Sequence, residues 1–242
     1  MPAMKRSVVL AWCVHAYTAL GLVIAALIAV LIVRGTEGDF RLAFLLMGLA
    51  VVIDATDGWL ARRLRVAEVL PSFDGRRLDD IVDFLIFTAL PLFLLWRSDL
   101  LPPALEWTLL IPLLASAYGF AQTHAKTKDG FFLGFPSYWN IVAFYIYFLA
   151  LPPPIIIVIL LFFSVLTFVP SKYIYPTQPG TLSLPTNVFG GLWGLLAVAI
   201  LLDLLQARAW IWLSLAFPFY YFTASWIITV RDWLRPARDG RW

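Results

Sequence analysis

Long apolar segments separated by short polar breaks constrain this chain more than any other feature. Eight segments run roughly over residues 7–33, 41–63, 79–97, 104–124, 136–151, 153–171, 186–206 and 208–231, each ended by charge, proline or glycine. Between the fifth and sixth, Leu151-Pro152-Pro153-Pro154 leaves room only for a tight hairpin. A segment inside a bilayer must satisfy its own backbone hydrogen bonds, which leaves helices or closed barrels. Barrel strands alternate apolar and polar residues, and these runs do not. The chain is 62% hydrophobic and 14% charged, whereas a soluble domain carries charge on about a quarter of its residues. The expected fold is therefore an all-α integral membrane protein of about eight transmembrane helices, forming a single domain over 1–242. The run Ser7 to Val33 is too long for a signal-peptide core and reads as the first span. With one cysteine, Cys13, no internal disulfide is available.

The basic residues set the orientation. With the N-terminus inside, the inner ends carry Lys5, Arg6, Arg62, Arg63, Arg65, Arg76, Arg77, Lys126, Lys128, Lys172, Arg231, Arg235, Arg238 and Arg241. The outer ends carry Arg34, Arg41, Arg97 and Arg208, a bias of fourteen to four. Both termini are thus expected in the cytoplasm. The sequence pI near 9.1 reflects topology and anionic lipid rather than a nucleic-acid footprint, because no basic stripe lies on a soluble face.

Against this apolar background, residues 54–83 stand out, holding seven of the fifteen acidic residues. Charge near a bilayer is costly unless compensated. Asp54 and Asp57 are three apart and share a helix face; Asp79 and Asp83 are four apart and share another. The second helix ends and the third begins on the inner side, so a hairpin brings the two pairs together. Four carboxylates on facing helices can hold one or two hard divalent ions, with Mg²⁺ or Mn²⁺ suited to oxygen ligands. Gly58 and Ala61 extend the Asp57 face with almost no side chain, either for close helix packing or as a groove for a flat ligand. Arg62 offers forked donors to a phosphate, or anchors the helix at the interface.

Other polar residues carry less. Asp80 points off the shared face, His15 reads as a packing histidine, and Glu106 and Asp203 lie toward the outer side. His124, Lys126, Lys128, Arg76 and Arg77 are inner-side cations that anchor the fold or meet phosphate. A cation transporter would place its acidic residues near the midplane on broken helices, whereas these cluster at one helix end.

The block as a whole resembles the signature of the CDP-alcohol phosphotransferases: Asp, two residues, Asp-Gly, two residues, Ala-Arg, a spacer, Gly, three residues, Asp, three residues, Asp. Asp54, Asp57, Gly58, Ala61, Arg62, Gly75, Asp79 and Asp83 fill all eight fixed positions. The spacer, Arg63 to Asp74, is longer than the family's usual one. That length, and the segment Phe131-Phe-Leu-Gly-Phe-Pro-Ser137-Tyr138-Trp139-Asn140, are similar to the bacterial branch that forms phosphatidylcholine. His15-Ala-Tyr-Thr18-Ala-Leu-Gly21 resembles the family's first-helix opening but lacks its Pro-Asn pair.

The resemblance implies a transferase in the bacterial inner membrane, its active site facing the cytoplasm. Its substrates would be CDP-diacylglycerol and choline, its products phosphatidylcholine and CMP. Asp54, Asp57, Asp79 and Asp83 would bind metal, with two Mn²⁺ or Mg²⁺ ions expected, and Asp83 would double as general base. Gly58, Ala61, Arg62, Gly75 and Thr18 would bind the CDP-lipid. Choline lacks an N–H donor, so aromatic faces are its natural partners; Tyr138 and Trp139, with Asn140, rank first. Serine, inositol or a glycerol phosphate remain open as acceptors. The family is commonly homodimeric, and Gly190-Gly191-x-x-Gly194 could serve a dimer or internal packing.

Overall fold

The computed structural model of the chain describes residues 2–127, 129–175, 182–205 and 208–234. Lys128, Arg235, Arg238, Arg241 and the side chains of Lys5 and Arg6, used above for orientation, lie outside the described residues. Two compact units form, one from Met1–Leu113 with Tyr138–Ile156, the other from Leu114–Ser137 with Ile157–Trp242.

The first unit opens with a helical hairpin, α1 (Pro2–Arg34) and α2 (Glu37–Arg63). Gly35 turns the chain at φ 73°, and a Cβ there would sit 2.7 Å from the Arg97 guanidinium. Thr36 then caps α2 in a reciprocal box with Asp39. A short turn, α3 (Val66–Val69), precedes α4 (Gly75–Asp83), which Asp74 caps by accepting from the Arg76 and Arg77 amides. Directly after Asp83 the helix widens into a π-helical stretch, Phe84–Ala89, and tightens again as α5 (Leu90–Arg97). Pro91 accounts for the widening: it donates no amide hydrogen and its ring crowds the carbonyl four residues back, at Phe87. Helix α7 (Trp139–Leu149) packs its aromatic side against α2, with the Phe44 ring 5.7 Å from Phe144 and 5.8 Å from Phe148.

Contact between α1 and α4 is close because one partner is glycine. A Cβ at Gly21 would overlap Cγ1 of Val82. One turn of α1 toward its N-terminus, Thr18 faces α2, and one turn further His15 lies against Gly75. His15, Thr18 and Gly21 recur every three residues and so line one face of α1.

The second unit contains α6 (Leu110–Ala121, all but its first four residues), α8 (Pro153–Phe168, from Ile157 on), α9 (Ser183–Leu201), α10 (Arg208–Ser214) and α11 (Ala216–Trp233). It also corrects the all-α expectation. Strands β1 (Phe131–Leu133) and β2 (Lys172–Ile174) pair antiparallel, with Phe132 opposite Tyr173. Helix α11 supplies what the other edge of β2 needs. Thr229 Oγ1 accepts from the Lys172 amide at 2.8 Å, Ser225 Oγ accepts from the Ile174 amide at 3.2 Å, and Tyr221 donates to the Ile174 carbonyl at 2.7 Å. Such side-chain satisfaction of an edge strand leaves no periodic trace in sequence. Lys172 clamps the same region, 2.8 Å from Asp129 and 3.0 Å from Asp232. Burial alone would lower the Lys172 pKa, but the hydrogen bonds and charges of the two aspartates outweigh it and raise it above the ordinary lysine value. Of the glycines in α9, Gly190 packs on the Phe217 ring, while Gly191 and Gly194 would meet nothing within 4 Å.

Helical stretches coincide with all eight apolar segments. Among the described residues, four helical stretches are long and apolar enough to cross a membrane: Ser7–Arg34, Glu37–Arg63, Ser183–Leu201 and Arg208–Trp233. The chain is mostly helical and is a membrane protein.

The α1–α4 approach gives the first prediction. Gly21→Ala should destabilise the protein by about 1–3 kcal/mol, because Val82 is stiff at χ1 and cannot swing aside. Adding Val82→Ala should recover most of the loss, and Gly191→Ala should be near neutral. Thermal midpoints in detergent decide; an unshifted Gly21→Ala midpoint refutes the close-packing account.

Candidate metal and nucleotide site

The sequence pairs its aspartates by spacing, and the fold gathers three of them. Asp54 and Asp57 reach from one face of α2, and Asp79 from α4. One oxygen of each lies within 4.8 Å of the others. A cation holding oxygens at about 2.1–2.6 Å places two of its ligands up to about 5 Å apart, so this spacing fits a single hard divalent ion. The charge argument agrees. Asp57 is only 4% exposed and sits beside two further carboxylates. Burying an ionised carboxylate among like charges is unfavourable unless a cation or donors compensate. The Thr18 hydroxyl gives its hydrogen to Asp57 Oδ2 at 2.7 Å, Thr18 is itself buried, and the Gly58 amide and the Arg62 charge also act on this carboxylate. Asp83 lies one turn beyond Asp79 on α4, next to the π-helical widening, and falls outside the three-oxygen group.

The two readings of the small residues now separate. Among the described residues, a Cβ at Gly58 would meet only the Arg62 guanidinium, at 3.4 Å, so no neighbouring helix packs on it. Ala61, by contrast, packs against the buried Ala11, Val14 and Val66, together with Leu60, Leu64, Val69 and Leu70. Its small size serves the joint between α1, α2 and α3. Arg62 reaches back over Gly58 toward the carboxylates, whereas Arg63 stacks on Trp59 at 5.1 Å.

Gly75 has a packing role that spacing could not reveal. A Cβ there would sit 2.5 Å from His15 Cε1. His15 is 6% exposed, packs on Phe73 at 4.4 Å with the rings tilted by 50°, and meets Trp12 edge-on at 5.9 Å. It is the packing histidine expected, and Nε2 has no hydrogen-bond partner among the described residues. Phe73 and Gly21 were missed as organising residues. The signal that could have found Gly21 is the three-residue recurrence on α1.

The residues ranked for the acceptor sit at the start of α7. Tyr138 is half-buried and ends the turn after Ser137, which is held at φ 56°. Trp139 is fully buried and presents no open ring face. Asn140 is half-buried, and its Oδ1 accepts no hydrogen bond among the described residues.

These features define a membrane protein in which three carboxylates, two from α2 and one from α4, can hold a cation. Residues 14–173 match the CDP-alcohol phosphatidyltransferase family, and the chain belongs to it. Members of this family generally use divalent metals and join a CDP-alcohol to an alcohol acceptor. Its relatives narrow the comparison. The chain is 37% identical over 233 residues to the phosphatidylcholine synthase of Legionella pneumophila, covering 90% of this chain and 88% of that one. It is 33% identical to the phosphatidylcholine synthase of Borreliella burgdorferi, covering 71% and 73% of the two chains, and 35% identical to that of Pseudomonas aeruginosa, covering 69% of each.

If the three carboxylates hold a divalent ion, that ion stabilises the folded chain by mass action. Saturating Mn²⁺ at about a hundred times its dissociation constant should add about 2.7 kcal/mol. The thermal midpoint of the wild type should rise with Mn²⁺ and fall back with EDTA. Asp57→Asn should abolish the Mn²⁺ increment, and a variant that keeps the full increment excludes Asp57 as a ligand.

Proposed function

We infer that this chain makes phosphatidylcholine, transferring the phosphatidyl group of CDP-diacylglycerol to the hydroxyl of choline with release of CMP. The observation that carries the reading is the convergence of Asp54, Asp57 and Asp79, three fixed positions of the family signature, within 4.8 Å. The relatives' names support choline as the acceptor.

Asp54, Asp57 and Asp79 would hold Mn²⁺ or Mg²⁺, with Asp83 sharing a second ion, and the bound metal supplies charge neutralisation to the diphosphate. The CDP-lipid lies along the Gly58 groove with Arg62 donating to its phosphates, and Gly75 keeps α4 against α1 so that the groove holds its shape. Asp83 takes the proton from the choline hydroxyl. The choline oxygen forms a bond to the β-phosphorus, which bears the diacylglycerol, and the bond from that phosphorus to the oxygen of CMP breaks. The proton stays on Asp83 until it passes to water. Positioning and electrostatics carry most of such a transfer. Tyr138 offers a ring face to the quaternary ammonium and Asn140 Oδ1 a polar contact; Trp139 supports them from the core.

The eight helical stretches are read as eight spans of one catalytic domain over 1–242, in the bacterial inner membrane. The family match over residues 14–173 runs through both compact units, which supports one domain. The fourteen-to-four split of basic residues supports cytoplasmic termini and a cytoplasm-facing active site. Gly191 and Gly194, open on α9, offer a small-residue surface for a homodimer.

The decisive assay is CMP release from CDP-diacylglycerol by the purified chain in detergent. Release should require choline and either Mn²⁺ or Mg²⁺, and serine, inositol and glycerol phosphate should not replace choline. Release driven by one of those instead would reassign the acceptor. Asp83→Asn should keep CDP-lipid binding and lower kcat by about 10²–10⁴-fold; normal turnover in that variant would remove the base assignment. Tyr138→Ala should raise the KM for choline several-fold while leaving that for CDP-diacylglycerol unchanged. An unaltered choline KM would place the ammonium elsewhere.

A further inference from the structure

Asp57 depends on a residue from another helix. Its carboxylate is buried, and two further carboxylates stand within 4.8 Å of its ligand oxygen. Like charge favours its turning away, and the Gly58 amide and the Arg62 charge act on it from its own helix. The Thr18 hydroxyl, 2.7 Å from Oδ2, opposes that rotation. The hydroxyl has one hydrogen and two carbonyl-type oxygens within reach. The Val14 carbonyl stands at 3.4 Å, so the shorter contact to Asp57 takes the hydrogen.

Thr18 can hold this position because α1 is fixed on both sides of it. Three residues on, Gly21 meets Val82; three residues back, His15 fills the space over Gly75. Both contacts are to α4, the helix that brings Asp79. Thr18 is β-branched and therefore stiff at χ1. A second bond ties α1 to α2 beside it: Tyr17 OH lies 2.9 Å from Thr56 Oγ1, whose own hydrogen goes to the backbone carbonyls of Val52 and Ile53.

We propose that Thr18 is a positioning residue that holds the Asp57 carboxylate in the orientation needed to ligate a divalent ion. The role differs from direct contact with the CDP-lipid, which the sequence assigns to Thr18. It rests on the metal-dependent transfer proposed above. Ligating carboxylates are commonly oriented by hydrogen bonds from beyond the ligand shell, and losing such a partner costs roughly 10–100-fold in metal affinity or activity.

The test titrates Mn²⁺ into the purified full-length protein without substrates, following free Mn²⁺ by electron paramagnetic resonance. Thr18→Val is isosteric and removes only the donor. It should weaken Mn²⁺ binding roughly tenfold or more. Thr18→Ala, without the branched side chain, should show the same loss, so misfolding of one variant does not decide the matter. Thr18→Ser keeps the hydroxyl and should stay within about twofold of wild type; a tenfold loss there overturns the proposal. At saturating Mn²⁺, the KM for CDP-diacylglycerol in Thr18→Val should match wild type. Unchanged Mn²⁺ affinity with a raised KM for the CDP-lipid would instead make Thr18 a nucleotide contact. If the wild type takes up no Mn²⁺, the reading of the aspartate cluster itself fails, whereas equal uptake by wild type and variants sinks only the role of Thr18.

Discussion

Three carboxylates confined within 4.8 Å of one another are the constraint on which the first unit depends. Like charges so close repel, and burial makes the repulsion stronger. The helices hold them there through contacts that have nothing to do with charge: Gly21 against Val82, His15 against Gly75, and Ala61 in the joint with Ala11, Val14 and Val66. The packing free energy of α1 is in effect spent on bringing α2 and α4 to the distance at which a cation becomes favourable. That arrangement suits an enzyme acting on a diphosphate, since a cation held there would relieve the carboxylates and neutralise the substrate.

Much of this was legible in the sequence, and the reason differs from part to part. Helical segments are legible because the bilayer leaves the backbone no other choice, and composition reports the bilayer. The pairing of Asp54 with Asp57 follows from helix periodicity alone. The strands β1 and β2 were not legible: three residues each, they exist because Ser225, Thr229 and Tyr221 of α11 satisfy the outer edge of β2 from about fifty residues away in sequence. The difference between Gly58 and Ala61 was not legible either. Both are small and both sit on the face of Asp54 and Asp57, but only tertiary contact tells that Ala61 is packed and Gly58 is open.

Thr18 shows the limit most directly. Its place in a pattern like the family's opening suggests a ligand contact, and its hydroxyl donates to Asp57. The sequence could place Thr18 near the chemistry but not say which partner it serves, because the answer depends on how α1 is rotated against the hairpin. That rotation is set by His15 and Gly21, whose spacing of three is visible in the sequence but whose partners, Gly75 and Val82, are not.

The long spacer between Arg62 and Gly75 is where sequence and structure meet. A flexible connection of this length would let α4 slide relative to α2, and the Asp79 carboxylate with it. The spacer is instead folded. Arg65 takes a left-handed conformation to start α3, Val66 drops into the core beside Ala11 and Val14, Phe73 packs on His15, and Asp74 caps the helix that carries Asp79. Each contact removes a degree of freedom between the two halves of the cluster. Two of them use α1, and the same helix presents Thr18 to Asp57. The extra residues thus tie the hairpin end to α1, which helps explain how a metal site can be built at a helix end without a rigid loop to hold it.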